Sequence, residues 1–584
     1  MRYPTLTELN TSREIVDVFK GYNHNLRIGD GEFFDMTNLS SDNYPVLSPR
    51  PKRGVYAVPS IPQGMVAKDS LCYVDGRDFV INKYRVSMGL TIDDTPKTLI
   101  SMGAYVIIMP DKKYIRISAD EDGEAFEHGD IEATVTTSTS TTFTLCKVDG
   151  VAYENVAHQG TAPENPKNMD LWIDTSETPH QLKQYSTTNE MWSAIATTYI
   201  KISAAGIGVP FEVNDGVTIS GIENPALADL NASLVVWAKG DNYIVVTGIL
   251  DQVTTQETPI TVSRKMPNMD FIIESENRLW GCRYGKALNG EIVNEIYACK
   301  LGDFKNWNCF MGISTDSYVA SVGTDGQFTG AITHLGYPLF FKENCLHKVY
   351  GNYPANYQIQ TTACRGVQKG CERSLAIVNE VLYYKARSGV CAYDGSLPAE
   401  ISSVLGDMSY SKAVAGDLGN KYYISMLDAE GSYHLFVYDT LRGMWHREDD
   451  TEAVQFCNCR GDLYYIDHAD NQIKTVKGTG VKETSPIKWS ATTGIIGTDS
   501  PDKKYVSRMD VRMKLGVGDR VTFYVEYDSS GEWEHLFNMD GVKLWTFAVP
   551  IRPQRCDHLR LKIVGYGDAK IYSICKTIEQ GSDV

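Results

Sequence analysis

The sequence lacks the features that membrane proteins and long-helix proteins share. No apolar run among its 584 residues approaches the ~20 residues that a transmembrane helix needs, and long runs of Ala, Leu, Glu and Lys are absent. We expect one short helix, over Thr7–Lys20, with Val16 and Phe19 on one face. No hydrophobic signal region follows Met1. We therefore expect a protein that does not insert into membranes and folds in a cytoplasm.

Cysteine is frequent, but it forms no framework. The thirteen cysteines are spread singly, except for the close pair Cys457 and Cys459. An odd number without regular spacing predicts free, mostly buried thiols in a reducing compartment. A C-x-C on one strand directs both sulfurs to one face, but no C-x-x-C or paired histidine supplies the remaining ligands of a metal. We interpret the pair as strand packing and expect no metal and no cofactor.

Catalytic motifs are missing as well. The chain has no G-x-S-x-G, no H-E-x-x-H and no phosphate loop. A calcium loop counted from Asp120 fails because its twelfth position is Ile131 instead of a glutamate. We interpret the acidic clusters as solvated loops; they are Asp120, Glu121, Asp122 and Glu124, and Asp449 and Asp450. With no usable carboxylate pair or nucleophile, the sequence predicts no catalytic residue and a protein that is not an enzyme.

Two other segments look functional at first. The segment Tyr527–Trp533 resembles the Asp-box of sialidase propellers, but its spacing differs, so we expect a hairpin turn. His446 follows Trp445 at the end of a strand pattern. We expect Trp445 to wedge between neighbouring sheets and His446 to cap its strand.

The charge balance is acidic. The chain has 56 basic and 73 acidic residues, a formal net charge of −17. An acidic surface repels phosphate and disfavours sequence-independent binding of nucleic acid. DNA that only passes through a channel remains compatible with this charge.

A repeated phrase is the most informative feature that the sequence does have. An apolar-aromatic strand runs into a tight Gly/Asp turn, and its markers Leu339, Leu382, Tyr422 and Leu463 are 43, 40 and 41 residues apart. A period near 40 built from strands is typical of a β-propeller. The sequence therefore predicts an all-β protein with a propeller of six to eight blades. The phrase occurs at Leu71–Gly76, Gly103–Pro110, Arg278–Gly281, Pro338–Phe341, Val381–Tyr384, Lys421–Ser425 and Leu463–Asp467.

The repeat is interrupted once, and it ends before the chain does. The length predicts several domains, and we divide the chain into four parts. Residues 1–118 hold the N-terminal helix and the first propeller strands, 119–261 form inserted β modules, 262–478 complete the propeller, and 479–584 form a terminal β-sandwich.

Several motifs resemble the tail nozzle, or "stabilization", proteins of tailed bacteriophages. The first is Asn38–Arg50, followed by Arg53 and Gly54. The resemblance covers the propeller and the sandwich and is looser over the insertion. The other motifs, in chain order, are Glu276–Gly281 with Tyr297–Phe304, Phe340–Asn344, Tyr438–Thr440 with Trp445–Glu448, and Arg552–Asp557.

The resemblance implies a structural virion protein. Such proteins form a homohexameric ring below the portal and adaptor proteins, and carry fibres or a tip. The ring closes the distal end of the DNA channel, retains the genome and conducts double-stranded DNA on ejection without binding it specifically. The expected location is the virion tail, assembled in the host bacterial cytoplasm. The roughly 140-residue insertion leaves open a nozzle of a short tail or the tip of a longer one.

One alternative, from another functional class, is a carbohydrate-binding or glycan-degrading propeller. Another is a receptor-binding component of a tail tip or baseplate. In the carbohydrate hypothesis the insertion is the glycan module, and Trp172, Trp192 and Trp237 are candidate stacking platforms. Packing within the insertion is the competing interpretation of these three residues.

Overall fold

The structure is a computed structural model that describes residues 11–86, 89–117, 126–287, 290–497, 503–541 and 543–580. Strands dominate it, and its helical segments are short 3-10 turns. None of the helices in these ranges is long and apolar enough to cross a membrane. The helical segments are Pro225–Leu230, Pro354–Asn356, Glu372–Ser374 and Ser403–Leu405.

Within the described ranges, seven antiparallel four-stranded units follow one another along the chain, and we number them blade 1 to blade 7. Blades 1 to 5 are separate sheets, blade 6 continues into one sheet of the sandwich to make ten strands, and blade 7 has a fifth strand at its edge. The first three are Pro62–Lys68, Ser70–Asp75, Asp78–Ile81 and Tyr84–Arg85; Thr98–Met102, Tyr105–Met109, Lys113–Arg116 and His128–Asp130; and Phe271–Ser275, Arg278–Lys286, Ile292–Ala298 and Tyr318–Ser321. Blades 4 and 5 are Gly330–His334, Tyr337–Lys342, Cys345–Tyr350 and Gln358–Ala363; and Ala376–Val378, Val381–Lys385, Val390–Tyr393 and Ala399–Glu400. Blade 6 is Ser411–Leu418, Lys421–Leu427, Tyr433–Asp439 and Met444–Arg447, and blade 7 is Ala453–Cys459, Asp462–Asp467, Ile473–Thr475 and Gly54–Ala57.

The repeated phrase of the sequence is the second strand of each blade. Its markers Leu339, Leu382, Tyr422 and Leu463 are all 0% exposed. A strand with a neighbour on each edge and packing on both faces has to be apolar throughout, which explains why this strand repeats most clearly. The predicted fold class is confirmed: an all-β propeller with an inserted β lobe and a C-terminal β-sandwich.

Blade 7 is completed by a strand from the other end of the chain. Gly54–Ala57 pairs with Ile473–Thr475, and the short strand Val481–Lys482 pairs with the free edge of Gly54–Ala57. A Cβ atom on Gly54 would lie 2.4 Å from the Thr479 carbonyl oxygen, so only glycine permits this close approach. Sheet pairing here fixes the start of the propeller to its end.

The chain divides into two compact units. The first comprises Met1–Lys97, Phe340–Leu346 and Thr361–Val584, and the second comprises Thr98–Leu339 and His347–Gln360. Blades 5, 6, 7 and 1 lie in the first unit together with the sandwich. Blades 2 and 3 lie in the second unit together with the inserted lobe.

In the second unit, the first and last strands of the inserted lobe are adjacent. Ala133 is paired with Arg264 in adjacent antiparallel strands, so the two ends of the insertion are neighbours. A buried core that includes Phe143, Phe211 and Val246 holds two of its three sheets together. Those sheets are Ala133–Thr136, Thr261–Arg264, Gly216–Ser220 and Ser233–Val235; and Ala238–Gly240, Tyr243–Thr247, Tyr199–Ser203, Thr141–Cys146 and Thr254–Gln256. A third sheet comprises Ala157–Gln159, Leu171–Asp174, Gln181–Ser186 and Met191–Ala194.

Replacing residues 133–264 by a short Gly/Ser bridge between Glu132 and Lys265 is expected to give a soluble protein that unfolds cooperatively. The paired ends and the separate core of the lobe are the reasons. Size-exclusion chromatography and urea unfolding followed by fluorescence measure this. Aggregation of every deletion variant over a series of bridge lengths would contradict an independently folded lobe.

In the first unit the sandwich is built from both ends of the chain. One sheet is Thr11–Val16, Ala569–Gln580, Lys504–Leu515 and Trp545–Val549, and the other is Gly21–Tyr22, Glu32–Thr37, Lys488–Thr493, Leu559–Tyr566, Arg520–Tyr527 and Glu534–Asp540. A small hairpin, Leu39–Ser40 with Ser48–Pro49, follows the N-terminal strands.

The prediction of a helix over Thr7–Lys20 is wrong for the residues that the structure describes, from Thr11 onward. Thr11–Val16 is an edge strand that pairs along its whole length with Ala569–Gln580. Tertiary pairing overrides the weak helical pattern of this segment. The first ten residues lie outside the described part.

Candidate functional site

The cysteines agree with the sequence analysis. Within the described ranges the thirteen cysteines form no disulfide; eleven are buried and two are partly buried. Cys457 and Cys459 lie on the first strand of blade 7, and burial raises the pKa of the Cys457 thiol to about 12. In the described part of the chain, no three His, Cys, Asp or Glu side chains are arranged to hold a metal ion. Cys457 and Cys459 pack in a hydrophobic core of blade 7.

The other candidate residues lie far from one another. Tyr527 ends one strand and Glu534 begins the next, with positive φ at Asp528 and Ser529, so this segment is the expected hairpin turn. Trp172 is buried, lies edge-on to Trp192 at 5.4 Å and donates to the Gln159 carbonyl; Trp237 lies edge-on to Tyr199 at 5.8 Å. The three tryptophans therefore pack within the lobe. The acidic run Asp120, Glu121, Asp122 and Glu124 lies outside the described residues.

Asp449 was misinterpreted as a solvated residue. Its carboxylate is 23% exposed and lies 2.9 Å from the Arg53 guanidinium. Its neighbour Asp450 is 72% exposed and pairs with Arg447 at 2.6 Å, as a solvated loop residue does. No sequence pattern indicates the contact between Arg53 and Asp449, because nearly 400 residues separate them.

Asp449 belongs to a buried polar network, which we call the Arg53 cluster. Arg53 forms ion pairs with Glu448 at 2.6 Å and Asp449 at 2.9 Å, and it also donates to Thr451 and Tyr465. The side chains of Arg53 and Glu448 are 5% and 3% exposed. The cluster connects the segment that precedes Gly54–Ala57, the last strand of blade 7, to the loop between blades 6 and 7.

A second arginine extends the cluster to the linker between the propeller and the sandwich. Arg50 donates to Glu483 at 3.1 Å and to the Asn38 side chain at 2.7 Å, and the Arg53 backbone N–H donates to Glu483. Glu483 follows Val481–Lys482, the short strand at the outer edge of blade 7. One network therefore joins three parts of the first unit.

The charges of the cluster stabilise one another. Burial alone would lower the pKa of Arg53, but Asp449 and Glu448 raise it well above its ordinary value. Burial alone would raise the pKa of Asp449, but Arg53, Thr451 and Arg50 lower it below its ordinary value. Buried ions that are paired in this way are costly to separate, because each one left alone keeps its desolvation penalty.

The same network brings together motifs that are distant in the sequence. Two of the segments that resemble nozzle proteins, Asn38–Arg50 with Arg53 and Tyr438–Thr440 with Trp445–Glu448, meet here. Ser41 donates to Asp439 at 2.6 Å, and Arg53 donates to Glu448 at 2.6 Å. The motif residues are therefore complementary partners in one structural joint.

His446 lies at the edge of this joint. It is 4% exposed, its Nδ1 has no hydrogen-bond partner within the described ranges, and burial lowers its pKa to about 3. Trp445 beside it donates to the Ile401 carbonyl of the segment after blade 5 at 2.8 Å. Trp445 therefore joins two neighbouring blades, as expected, and His446 is a neutral buried residue of the packing.

An open pocket lies between blades 5 and 6, and we call it the blade pocket. It has a volume of about 430 Å³ and is lined mainly by polar groups. It is formed by the turn after Val381–Lys385 and the connection from blade 5 to blade 6. Side chains at its wall include Lys385, Arg387, Glu400, Asp407, Tyr410 and Met426.

The floor of the blade pocket contains a desolvated amine. Lys385 is 2% exposed, and its Nζ donates to Gln368 at 2.9 Å and to the Ala386 carbonyl. Burial lowers its pKa below the ordinary value for lysine. At the rim, Glu400 pairs with Arg365 at 2.9 Å. A concave site with a perturbed lysine is the kind of place where ligands bind.

Comparison with known proteins gives matches among solved structures alone. No known family model matches the chain, and no curated protein does. An exo-β-1,3-galactanase from Phanerochaete chrysosporium is 8% identical, with 52% of this chain and 94% of that one covered and a TM-score of 0.21. The extracellular domain of a putative hybrid two-component system from B. thetaiotaomicron is 8% identical, with coverages of 92% and 98% and a TM-score of 0.20. A Trypanosoma rangeli sialidase is 9% identical, with coverages of 92% and 96% and a TM-score of 0.20.

These matches contradict the prediction that the chain is not an enzyme, because glycoside hydrolases are among them. The prediction is withdrawn. Identities of 8% and TM-scores of 0.21 and 0.20 assign neither an activity nor a substrate to this chain.

Proposed function

We propose that the chain is a structural protein of a bacteriophage tail, a nozzle that closes the distal end of the DNA channel, retains the genome and conducts it on ejection. The observation that carries this proposal is the convergence of the nozzle-like motifs in the Arg53 cluster. Motifs that are separated by about 400 residues and still form complementary ion pairs support a common structural origin for the resemblance.

The proposed assembly is a homohexamer that contacts portal and adaptor proteins and carries fibres or a tip. Symmetry multiplies the −17 charge of each subunit, and a narrow channel concentrates the resulting field. A lumen lined by Asp and Glu side chains would repel DNA phosphates and let the genome pass without sticking. The protein would be found in the virion tail after assembly in the host cytoplasm.

Electron microscopy of the purified chain, with antibody labelling of virions, tests this proposal. The expected results are six-fold rings in the images and label at the tail. Monomers at all protein concentrations together with unlabelled virions would overturn it. In a map of the ring, a lumen lined mainly by Lys and Arg would overturn the conduit mechanism even if the ring were present.

The second candidate is a carbohydrate-binding or glycan-degrading propeller, and the blade pocket favours it. A 430 Å³ cavity with Lys385, Arg387, Glu400 and Asp407 at its wall offers donors and acceptors to the hydroxyl groups of a sugar. The solved structures reported above include a galactanase with galactose and a sialidase, and their low TM-scores leave the pocket as the observation for this candidate.

Incubation with defined polysaccharides, followed by measurement of binding and of released sugars, tests the second candidate. Binding or release that falls at least tenfold in Glu400→Gln would support it, with Glu430→Gln, an exposed glutamate of blade 6 outside the pocket, as the matched control. Equal behaviour of the two variants, or no binding and no release by the unaltered chain, would reject the blade pocket as a glycan site.

A further inference from the structure

The outer face of the sandwich sheet that contains Arg520–Tyr527 and Leu559–Tyr566 carries aromatic side chains on its solvent side. The inward residues Val521, Phe523 and Val525 are 0% exposed and form the core. Strand alternation places Tyr524 on the opposite face, where polar residues are the rule. Aromatic rings on this face offer a flat apolar surface on which a ligand can stack.

These aromatic residues border an open groove of about 600 Å³, which we call the sheet groove. Its walls include Lys488, Tyr524, Trp533, Lys562, Val564 and Tyr566. Tyr566 is 43% exposed, and Tyr524 and Trp533 are half-buried. The rings are therefore held in place while part of each remains accessible to a ligand.

Register places each lysine of the groove beside an aromatic ring. Lys562 is paired with Tyr524 across the strands, and Lys488 is paired with Tyr566. The Lys562 Nζ lies 5.4 Å from the Trp533 ring centroid, and the Lys488 Nζ lies 6.0 Å from the Tyr566 ring centroid. Two cation–aromatic pairs therefore line the groove, one at Lys562 and one at Tyr566, four residues apart along the same strand.

The groove reverses the charge balance of the chain. Acidic residues outnumber basic ones in the sequence, 73 to 56, yet the groove is lined by two lysines and no carboxylate. Within the described ranges, neither ammonium takes part in an ion pair. Positive charge that is left unneutralised beside accessible aromatic rings is complementary to a ligand with an apolar ring face and an anionic substituent.

We propose that the sheet groove binds an acidic glycan. The apolar face of a pyranose ring stacks on Trp533 and Tyr524, and its carboxylate or phosphate substituent accepts a hydrogen bond from the Lys562 ammonium. The Lys488 ammonium, beside Tyr566, binds the acidic substituent of the next sugar. Val564 and Tyr566 extend the apolar floor to the next sugar. This site depends on neither of the functions proposed above, and it is distinct from the blade pocket and from the tryptophans of the lobe.

An array of glycans of defined structure, probed with the full-length chain, tests the proposal. It carries uronate-bearing, sialate-bearing and phosphate-bearing glycans and their neutral counterparts. We expect retention on an acidic set and weak retention on the neutral set, with the attraction reduced in 0.5 M salt. Preference for the carboxylate or for the phosphate glycans identifies the substituent that the lysines recognise.

Matched variants locate the binding. Trp533→Ala is expected to weaken it roughly tenfold and Lys562→Gln by a few-fold. The controls are Trp545→Ala, 67% exposed on the other sheet, and the exposed Lys514→Gln on the same sheet as Trp545. Equal losses in groove and control variants, equal retention of neutral glycans, or no retention of any acidic glycan would overturn the proposal. Self-association of the chain that Trp533→Ala abolishes, without glycan binding, would instead make the groove a protein contact.

Discussion

Replacing Arg53 by methionine is expected to lower the free energy of unfolding by about 3–5 kcal/mol, which makes this the most damaging single change that we predict. The substitution keeps a long side chain, so the effect comes from charge and not from a cavity. Glu448 would be left buried, and Asp449 partly buried, without the cation that both of them contact. Urea unfolding of the full chain, monitored by fluorescence, measures the change.

Two further variants separate charge from packing. Arg77→Met, in an exposed turn of blade 1, is the matched control and is expected to change stability by less than ~0.5 kcal/mol. The triple variant Arg53→Met, Glu448→Gln, Asp449→Asn removes both anions together with the cation, so it is expected to recover part of the loss. A loss in Arg53→Met no larger than in the control would show that the cluster contributes nothing to stability.

The propeller was predictable because each blade repeats one local constraint. The second strand has to be apolar on both faces, so Leu382 and Leu463 recur at nearly constant spacing. The range of six to eight blades and the existence of an insertion follow from that period and its interruption. Closure of blade 7 by Gly54–Ala57 was not predicted, since a strand near the start of the chain shows no sign of a partner more than 400 residues later.

The errors share the same physical origin. Thr11–Val16 was taken for part of a helix because its pattern was considered locally, while its strand partner, Ala569–Gln580, lies at the other end of the chain. Asp449 was taken for a solvated residue because acidic runs usually are, while Arg53 lies about 400 positions away. The sheet groove was missed because Lys488, Trp533 and Lys562 become neighbours only when three strands are paired. Composition and periodicity predict local structure. The Arg53 cluster and the sheet groove instead depend on pairing between segments that are distant in the sequence.

Lowering the pH from 7 to 4 is expected to destabilise the protein by about 3 kcal/mol through His446 alone. Burial lowers the pKa of His446 to about 3, with Lys421 acting in the same direction and Asp439 and Asp42 opposing it. The unfolded chain binds a proton at this histidine below pH ~6.5, whereas the folded chain does so only near pH 3. Stability therefore falls as the pH drops through this interval, because the unfolded state holds more protons.

The carboxylates of the Arg53 cluster affect stability at lower pH than His446 does. The contributions of the carboxylates and of His446 can therefore be separated. The pKa values of Asp449 and Glu483 are lowered in the folded state, so their contribution is complete above their unfolded values of about 4 and is lost only below them. Between pH 6.5 and 4.5 the slope attributed to His446 should disappear in His446→Phe and persist in His128→Phe, which replaces an exposed histidine of blade 2. Unfolding free energies measured in urea at half-unit pH steps provide the comparison. The same slope in the unaltered chain and in His446→Phe would show that another group causes the loss, and that His446 is not held neutral by burial.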